Sequence, residues 1–202
     1  MLDVLSVYER PYDPNYPVVC LDEKLTQLTK DIRVPLLCKA GKPQRLDYEY
    51  KRNGTCNLFV AVEPKEGKRV VRVTKRRAKK DYASFVKYLV MRKYGEAKKI
   101  VLVEDNLNTH SKAALIETLG EKVGKQVTKR IDWHYTPKHA SWLNQAEIEI
   151  HSLEAQCLKR NIPAFHVMQS EVAACVRKRN KDKCKIIWQF TREKAKEKFK
   201  FS

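Results

Sequence analysis

Three acidic residues adjoin apolar segments at positions where their carboxylates could act together. Asp22 ends the apolar run 17–22, Asp105 ends the run 99–105, and Glu147 stands near the start of an amphipathic stretch. Short apolar runs of this kind predict buried strands. Sites in open α/β sheets form outside the carboxyl ends of parallel strands. Neighbouring strands would therefore bring Asp22 and Asp105 to one sheet edge, with Glu147 beside them.

Carboxylates in such an arrangement suit metal-dependent chemistry. Without a cation they repel one another, whereas Mg²⁺ and Mn²⁺ prefer oxygen ligands and remove the conflict. Two ions held by Asp22, Asp105 and Glu147 could cleave or join phosphodiester bonds. The alternative is that these are ordinary acids at element ends, because the chain has 24 acidic residues and a spacing is only a hypothesis.

The strands that must position these acids follow from hydrophobic periodicity. Antiparallel strands come first in the chain, and helices and strands then alternate. This order predicts an α/β fold with a mixed sheet flanked by helices. Strand patterns occupy residues 17–22, 55–63, 68–74, 99–105 and 129–135, and residues 47–52 could extend the second of them.

Helices are predicted where apolar residues recur every three or four positions. These segments are 81–94, 113–119, 142–160 with Ser141 as N-cap, and 166–179. Residues 1–16 and 24–45 are predicted to be irregular. The main domain is placed at residues 1–165, with residues 166–202 as a basic, helical extension of the same domain.

The charge balance favours a polyanionic partner. Lysine and arginine total 42 against 24 acids, a formal net charge of +18. Nucleic acid is the first candidate and an anionic membrane surface the second. No apolar run approaches the roughly 20 residues needed to span a bilayer, so no membrane partner is expected. The six cysteines form no C-x-x-C pair, which argues against a zinc ribbon and for a reducing, cytoplasmic setting.

Three blocks of the sequence resemble the catalytic blocks of a known family. VVCLDE (18–23), VEDNLNTH (103–110) and HYTPKHASWLNQAEIE (134–149) are similar to those of DDE-type transposases of the mariner-related bacterial insertion-sequence group. DYEYKRNGTCNLFVAVEP (47–64) resembles the hairpin region of that family. The resemblance covers about residues 1–195, and it implies a ribonuclease H-like fold. Relative to much of the family, the segment 120–129 reads as a surface insertion.

The resemblance implies a triad of Asp22, Asp105 and Glu147 with Mg²⁺ or Mn²⁺ as cofactor. Supporting or DNA-binding roles fall on residues in or near the motifs, namely Asn106, His110, Lys138, His139 and Asn144, and a DNA-backbone role falls on Lys75, Arg76 and Arg77 of the basic run 75–80. For several of these a plainer interpretation stays open. His110 could contact a phosphate, order the loop, or make a structural hydrogen bond. Trp142 could anchor the core or stack on a base, and the basic run 75–77 could be a solvated face. Glu104 should turn to the opposite sheet face from Asp105.

As a function, the resemblance implies cleavage of DNA at the element's ends and strand transfer into target DNA by a homodimeric complex. The chain starts about 20 residues before Asp22, which leaves no room for the helix-turn-helix units that recognise the ends in such transposases. A second reading frame joined by frameshifting, a truncated copy of the element and a partial gene sequence are the three explanations, and recognition of the ends would then come from elsewhere. Another ribonuclease H-like nuclease and an inactive DNA-binding remnant are the alternatives.

Overall fold

A five-stranded mixed sheet carries two of the three acids. The structure, a computed structural model, describes residues 1–33, 39–42, 49–107 and 110–200. The spatial strand order is β3-β2-β1-β4-β5, in which β1 is antiparallel to β2 and β2 to β3, while β1, β4 and β5 are parallel. The strands are β1 (Val18–Asp31), β2 (Tyr50–Glu63), β3 (Lys68–Thr74), β4 (Ile100–Asp105) and β5 (Ile131–Thr136).

Seven helices of eight residues or more lie in the described ranges. They are α1 (Leu2–Glu9), α2 (Lys79–Tyr88), α3 (Lys112–Leu119), α4 (Glu121–Lys129), α5 (Ala146–Leu153), α6 (Phe165–Lys181) and α7 (Arg192–Phe199). A π-helical turn continues α2 over Leu89–Lys93, and another continues α5 over Glu154–Leu158. None of the described helices is long and apolar enough to cross a bilayer.

Both faces of the sheet are buried, because its strands alternate between two cores. Ile100 and Leu102 of β4 pack with Phe85 and the other residues of a core under α2, α3 and α4. Val101 and Val103 point the other way, into a core that includes Leu5 of α1. A third cluster packs β2 against α5 and α6. Apolar residues at successive positions of β4 are typical of a strand that is buried on both sides.

The main difference from the sequence-based prediction concerns β1. Its pattern predicts a strand that ends at Asp22, followed by irregular structure from residue 24. Instead β1 continues to Asp31, because it pairs with β2 from Cys20–Val62 to Asp31–Tyr50. Backbone pairing with a long partner keeps a polar segment extended, which an apolar pattern cannot predict. The rest of the predicted excursion falls partly on residues 34–38 and 43–48, outside the described residues.

The predicted irregular lead-in is also wrong, since residues 2–9 form α1. Its Val4, Leu5, Val7 and Tyr8 are buried, and packing onto the sheet stabilises a helix too short to persist alone. The strand expected to begin near residue 47 is described only from Tyr50, because Asp47 and Tyr48 lie outside the described residues.

The segment 120–129 forms α4, which exposes most of its residues and buries Val127 in the core. Gly124 permits this packing: a Cβ there would lie 2.5 Å from the backbone Cα of Ile116 in α3. The hairpin, the strands at 99–105 and 129–135 and the helix near 166–179 are confirmed to within a few residues.

Candidate active site

Asp22 and Asp105 stand on neighbouring parallel strands. β1 and β4 pair from Val18–Val101 to Cys20–Val103, and each acid lies two residues beyond the last pair. Side chains alternate along a strand, so both acids share the face of Cys20 and Val103. Asp105 is the last residue of β4, whereas Asp22 lies within β1. The register of the two strands therefore places these carboxylates side by side.

Glu147 comes to the same region from the first turn of α5. Asn144 ties the start of this helix to β1. Its side-chain amide donates to the Leu21 carbonyl oxygen (2.8 Å), and its Oδ1 accepts from the Ala146 N–H (3.1 Å). Because Leu21 directly precedes Asp22, this buried bridge fixes Glu147 relative to Asp22. Ser141 does not cap the helix, which begins at Ala146 after a short 3₁₀ turn over Ser141–Leu143.

A pocket of about 460 Å³ is lined by all three acids. The rest of its lining consists of Glu23, Lys24, Ser141, Asn144, Ile150, His151 and Glu154. As the side chains stand, no three His, Cys, Asp or Glu residues of the described ranges are gathered closely enough to hold a metal ion. Asp105 Oδ1 lies instead 2.7 Å from His110 Nδ1.

The pocket has an excess of negative charge near Asp22. Burial is the main reason that the pKa of Asp22 is raised to about 6, and the charges of Asp105 and Glu147 raise it further. The backbone N–H of Glu23 donates to Asp22 (2.7 Å) and opposes this rise. Within the described ranges, no lysine or arginine forms an ion pair with Asp22 or Glu147. Oxygen donors in this electrostatic setting fit a divalent cation, which would relieve the repulsion.

A further acid, Glu104, lies behind the pocket, on the opposite face of the sheet from Asp105. Glu104 is fully buried and accepts hydrogen bonds from the Tyr82 hydroxyl (2.8 Å) and the Trp133 indole N–H (3.1 Å). Burial raises the pKa of this carboxyl to about 8, although His110 acts in the other direction. The predicted turn of Glu104 away from Asp105 is confirmed, since its partners pack in the core under α2.

His110 contacts acids of two neighbouring strands. Its Nε2 lies 2.9 Å from Glu23 Oε1 and its Nδ1 lies 2.7 Å from Asp105 Oδ1, the latter an ion pair without hydrogen-bond alignment. Burial favours the neutral ring, but the two carboxylates outweigh it and raise the pKa of His110 to about 10. The ring is only 1% exposed, so it faces carboxylates and not solvent.

The opposite side of α5 is held by a buried ion-pair network. Glu149, two residues after Glu147, is fully buried and accepts from Arg179 through both oxygens (2.9 Å each). Arg69 of β3, 1% exposed, lies 3.1 Å from the same carboxylate. Burial lowers the pKa of Arg69, and Glu149 counteracts this. These contacts fix the rotation of α5 about its axis, and with it the direction of Glu147.

The predicted basic residues are exposed. Lys75, Arg76 and Arg77 follow β3, and Arg77 Nε lies 3.1 Å from Glu23 Oε2 beside the pocket. Lys138 and His139 are exposed after β5, and His139 has a left-handed backbone (φ 62°).

The remaining motif residues differ in their surroundings. Asn106 is exposed directly after β4, and the next motif residues, Asn108 and Thr109, lie outside the described residues. Trp142 is not a core anchor: it is 43% exposed and packs edge-on against Phe190 at 5.5 Å.

Sequence reasoning missed the partners of these residues. Glu23, Arg69, Glu149 and Arg179 all take part in ion pairs near the site. One signal was available: acids occur in adjacent pairs, Asp22-Glu23 and Glu104-Asp105, so alternation puts one acid of each pair on each face. The arginines gave no comparable signal, because 42 basic residues are spread along the chain.

The strand order, the flanking helices and the placement of the acids define a ribonuclease H-like α/β protein. Residues 17–169 match the family model described as DDE superfamily endonuclease. This chain therefore belongs to the DDE superfamily of endonucleases.

Solved structures show the same fold. The chain is similar to the Mos1 mariner paired end complex with Mn, at a TM-score of 0.59 and 14% identity over 90% of this chain and 54% of that one. It is also similar to the catalytic domain of Mos1 mariner transposase, at a TM-score of 0.51 and 11% identity, covering 92% of this chain and 90% of that one. The chain thus spans about half the length of the first. A search of curated proteins found no match.

Proposed function

We propose that this chain is the catalytic domain of an insertion-sequence transposase, which cleaves DNA at the element's ends and joins 3′-hydroxyls to target DNA. One observation carries the proposal: acids from β1, β4 and α5 line a single pocket. Membership of the endonuclease family supports a phosphodiester substrate. The chain is similar to solved structures of a transposase catalytic domain and of a paired end complex. This similarity supports DNA as the substrate.

In this proposal Asp22, Asp105 and Glu147 are the catalytic triad and hold two Mg²⁺ or Mn²⁺ ions. Such ions, when bound, activate the attacking hydroxyl and stabilise the leaving oxygen. The protein's own part is to hold the elements that carry the three carboxylates around one pocket. The Asn144 bridge to β1 and the Glu149 ion pairs do this for α5. A backbone frame that is fixed in advance reduces the cost of orienting the three carboxylates around the ions.

The exposed basic segment 75–77 is proposed to hold the DNA backbone. Its ion pair with Glu23, a residue of the pocket lining, puts the segment within one side chain of the proposed triad. Phosphate contacts from lysine and arginine position a duplex without reading its sequence. Lys138, His139 and Asn106, also exposed, are proposed as further contacts.

The assembly follows from the same proposal. We propose a homodimer that pairs two element ends. The solved paired end complex of Mos1 mariner, which has this fold, supports such an assembly. Recognition of the ends is assigned to helix-turn-helix units encoded upstream or supplied by a partner, because a basic surface gives mainly non-specific binding. A reducing, cytoplasmic setting is proposed as well, and the described cysteines are all free thiols.

The test uses a supercoiled plasmid and an oligonucleotide with a free 3′-hydroxyl, with Mg²⁺ or Mn²⁺. Wild-type protein should nick the plasmid and join the oligonucleotide to it. Asp105→Asn should abolish both reactions and leave DNA binding unchanged. The matched control is Asp132→Asn on the neighbouring strand β5, an exposed acid outside the pocket.

Three outcomes would contradict the proposal. Equal activity of Asp105→Asn and wild type would remove the triad assignment. Cutting of RNA–DNA hybrids without joining would instead favour another ribonuclease H-like nuclease. DNA binding without metal-dependent cleavage or Mn²⁺ binding would indicate an inactive remnant.

A further inference from the structure

His110 is a buried ring clamped between carboxylates of two strands. Glu23 of β1 contacts its Nε2 and Asp105 of β4 contacts its Nδ1. Both of these carboxylates also line the pocket. His110 does not itself line the pocket. Its contact with the site therefore runs through Asp105 and Glu23.

The orientation of the ring is strongly restricted. The Tyr82 ring stacks on it at a centroid distance of 4.3 Å and an angle of 17°. Tyr82 is in turn fixed by the hydrogen bonds from its hydroxyl to Glu104. The Tyr135 hydroxyl donates to the His110 carbonyl oxygen (3.3 Å), which anchors the backbone. With these contacts the ring cannot rotate without losing a carboxylate partner.

The chain of contacts also extends outwards. Glu23 uses Oε1 for His110 and Oε2 for Arg77, whose side chain is 54% exposed in the basic segment. A series of ion pairs thus leads from the surface to Asp105. Each member has its position set by the next, and the innermost is an acid of the proposed triad.

We propose that His110 is a positioning residue, which fixes the Asp105 carboxylate for its part in the reaction and is itself held by Glu23. This inference rests on the proposed role of Asp105. Residues that hold a metal-ligating side chain in place typically contribute 10–100-fold to metal affinity or activity. His110 has the burial, the rigidity and the direct contact that such a residue requires.

Two substitutions test the contacts of the two ring nitrogens separately. The amide nitrogen of asparagine can take the place of Nδ1, and that of glutamine the place of Nε2. His110→Asn should therefore keep the contact with Asp105 and lose the one with Glu23, whereas His110→Gln should do the reverse. Both variants lose the stacking on Tyr82, so they are matched for that loss.

The measurements are Mn²⁺ affinity by calorimetry, the single-turnover nicking rate, and DNA affinity. His110→Gln should weaken Mn²⁺ affinity or slow turnover by about 10–100-fold at unchanged DNA affinity, and His110→Asn should recover most of that loss. His134→Gln is the control, because His134 is another buried histidine between carboxylates, those of Asp3 and Asp132, outside the pocket. It should leave Mn²⁺ affinity unchanged.

Equal losses in both His110 variants, in proportion to a drop in melting temperature, would overturn the positioning role and leave a purely structural one. Failure of the proposed function is distinguishable: the wild-type protein would then bind Mn²⁺ through Asp105 without cutting or joining DNA. In that case the calorimetry alone still tests the effect of His110 on Asp105.

Discussion

Glu147 and Glu149 are the same residue type on the same helix, two positions apart, and the fold treats them in opposite ways. Glu149 is fully buried and has two arginines, Arg69 and Arg179, within ion-pair distance. Glu147 is half-buried beside two aspartates, and no described lysine or arginine pairs with it. A folded chain normally compensates buried charge internally. Glu147 has no such partner among the described residues, which is the arrangement expected of a site that binds a cation from outside.

The largest expected effect is a loss of stability on substitution of Glu149, the acid that is paired with two arginines. Glu149→Gln would leave two buried or half-buried arginines without their carboxylate. Removing one partner of a buried ion pair costs about 3–5 kcal/mol, because the other charge stays unpaired in a poorly solvated place. Chemical denaturation should show this loss in the free energy of unfolding. A loss below about 1 kcal/mol would mean that the network is not what holds α5.

The next prediction concerns Glu147, where we expect a loss of activity without a loss of stability. Glu147→Gln should reduce metal-dependent cleavage by more than the roughly 10–100-fold that is typical of groups supporting a metal ligand, because Glu147 is itself proposed to hold the ions. The unfolding free energy should be unchanged or higher, because one of three mutually repelling charges is gone. Cleavage assays and denaturation on the same preparation test both parts. Instability equal to that of Glu149→Gln would erase the contrast between the two sides.

The third prediction uses the pH dependence of stability. The pKa of Asp22 is raised to about 6 in the folded state from an ordinary value of 3.8. The folded state therefore holds the proton more tightly, and Asp22 makes unfolding progressively easier as pH rises from about 4 to 6. Bound Mg²⁺ or Mn²⁺ should offset this loss of stability above pH 6, because the cation takes the place of the proton at Asp22. Thermal melts at pH 5 and 7.5 should show a larger metal-induced rise at pH 7.5, and none in Asp22→Asn.

The smallest effect is expected at the rim of the pocket. Lys24 and Glu154 form an ion pair of 2.6 Å, but both side chains are 39% exposed. Exposed pairs contribute about 0.2–1 kcal/mol and weaken with salt. Lys24→Gln should therefore change the unfolding free energy by less than about 1 kcal/mol. A larger loss in denaturation curves would show that the rim, like the far side of α5, has a structural role.

Local patterns predicted much of the fold. The buried strands at 99–105 and 129–135 and the hairpin of β2 and β3 were recognisable, because burial on both faces or on alternate positions leaves a periodic trace. The second half of β1 was not, since residues 24–31 are mostly polar and owe their extended form to pairing with β2. The helix α1 and the helix α4 were missed for a related reason: each is stabilised mainly by the core on which it packs.

The sequence by itself predicted three of the acids that line the pocket: apolar runs and an amphipathic stretch indicated where Asp22, Asp105 and Glu147 lie, and the resemblance to the transposase blocks singled them out among 24 acids. Only the tertiary structure decided which carboxylates are neutralised. Glu149, Glu23 and Glu104 have partners from other elements, among them Arg69, Arg77, His110 and Tyr82. Compensation of charge depends on side-chain approach over a few ångströms between distant segments, and linear spacing carries no record of that distance.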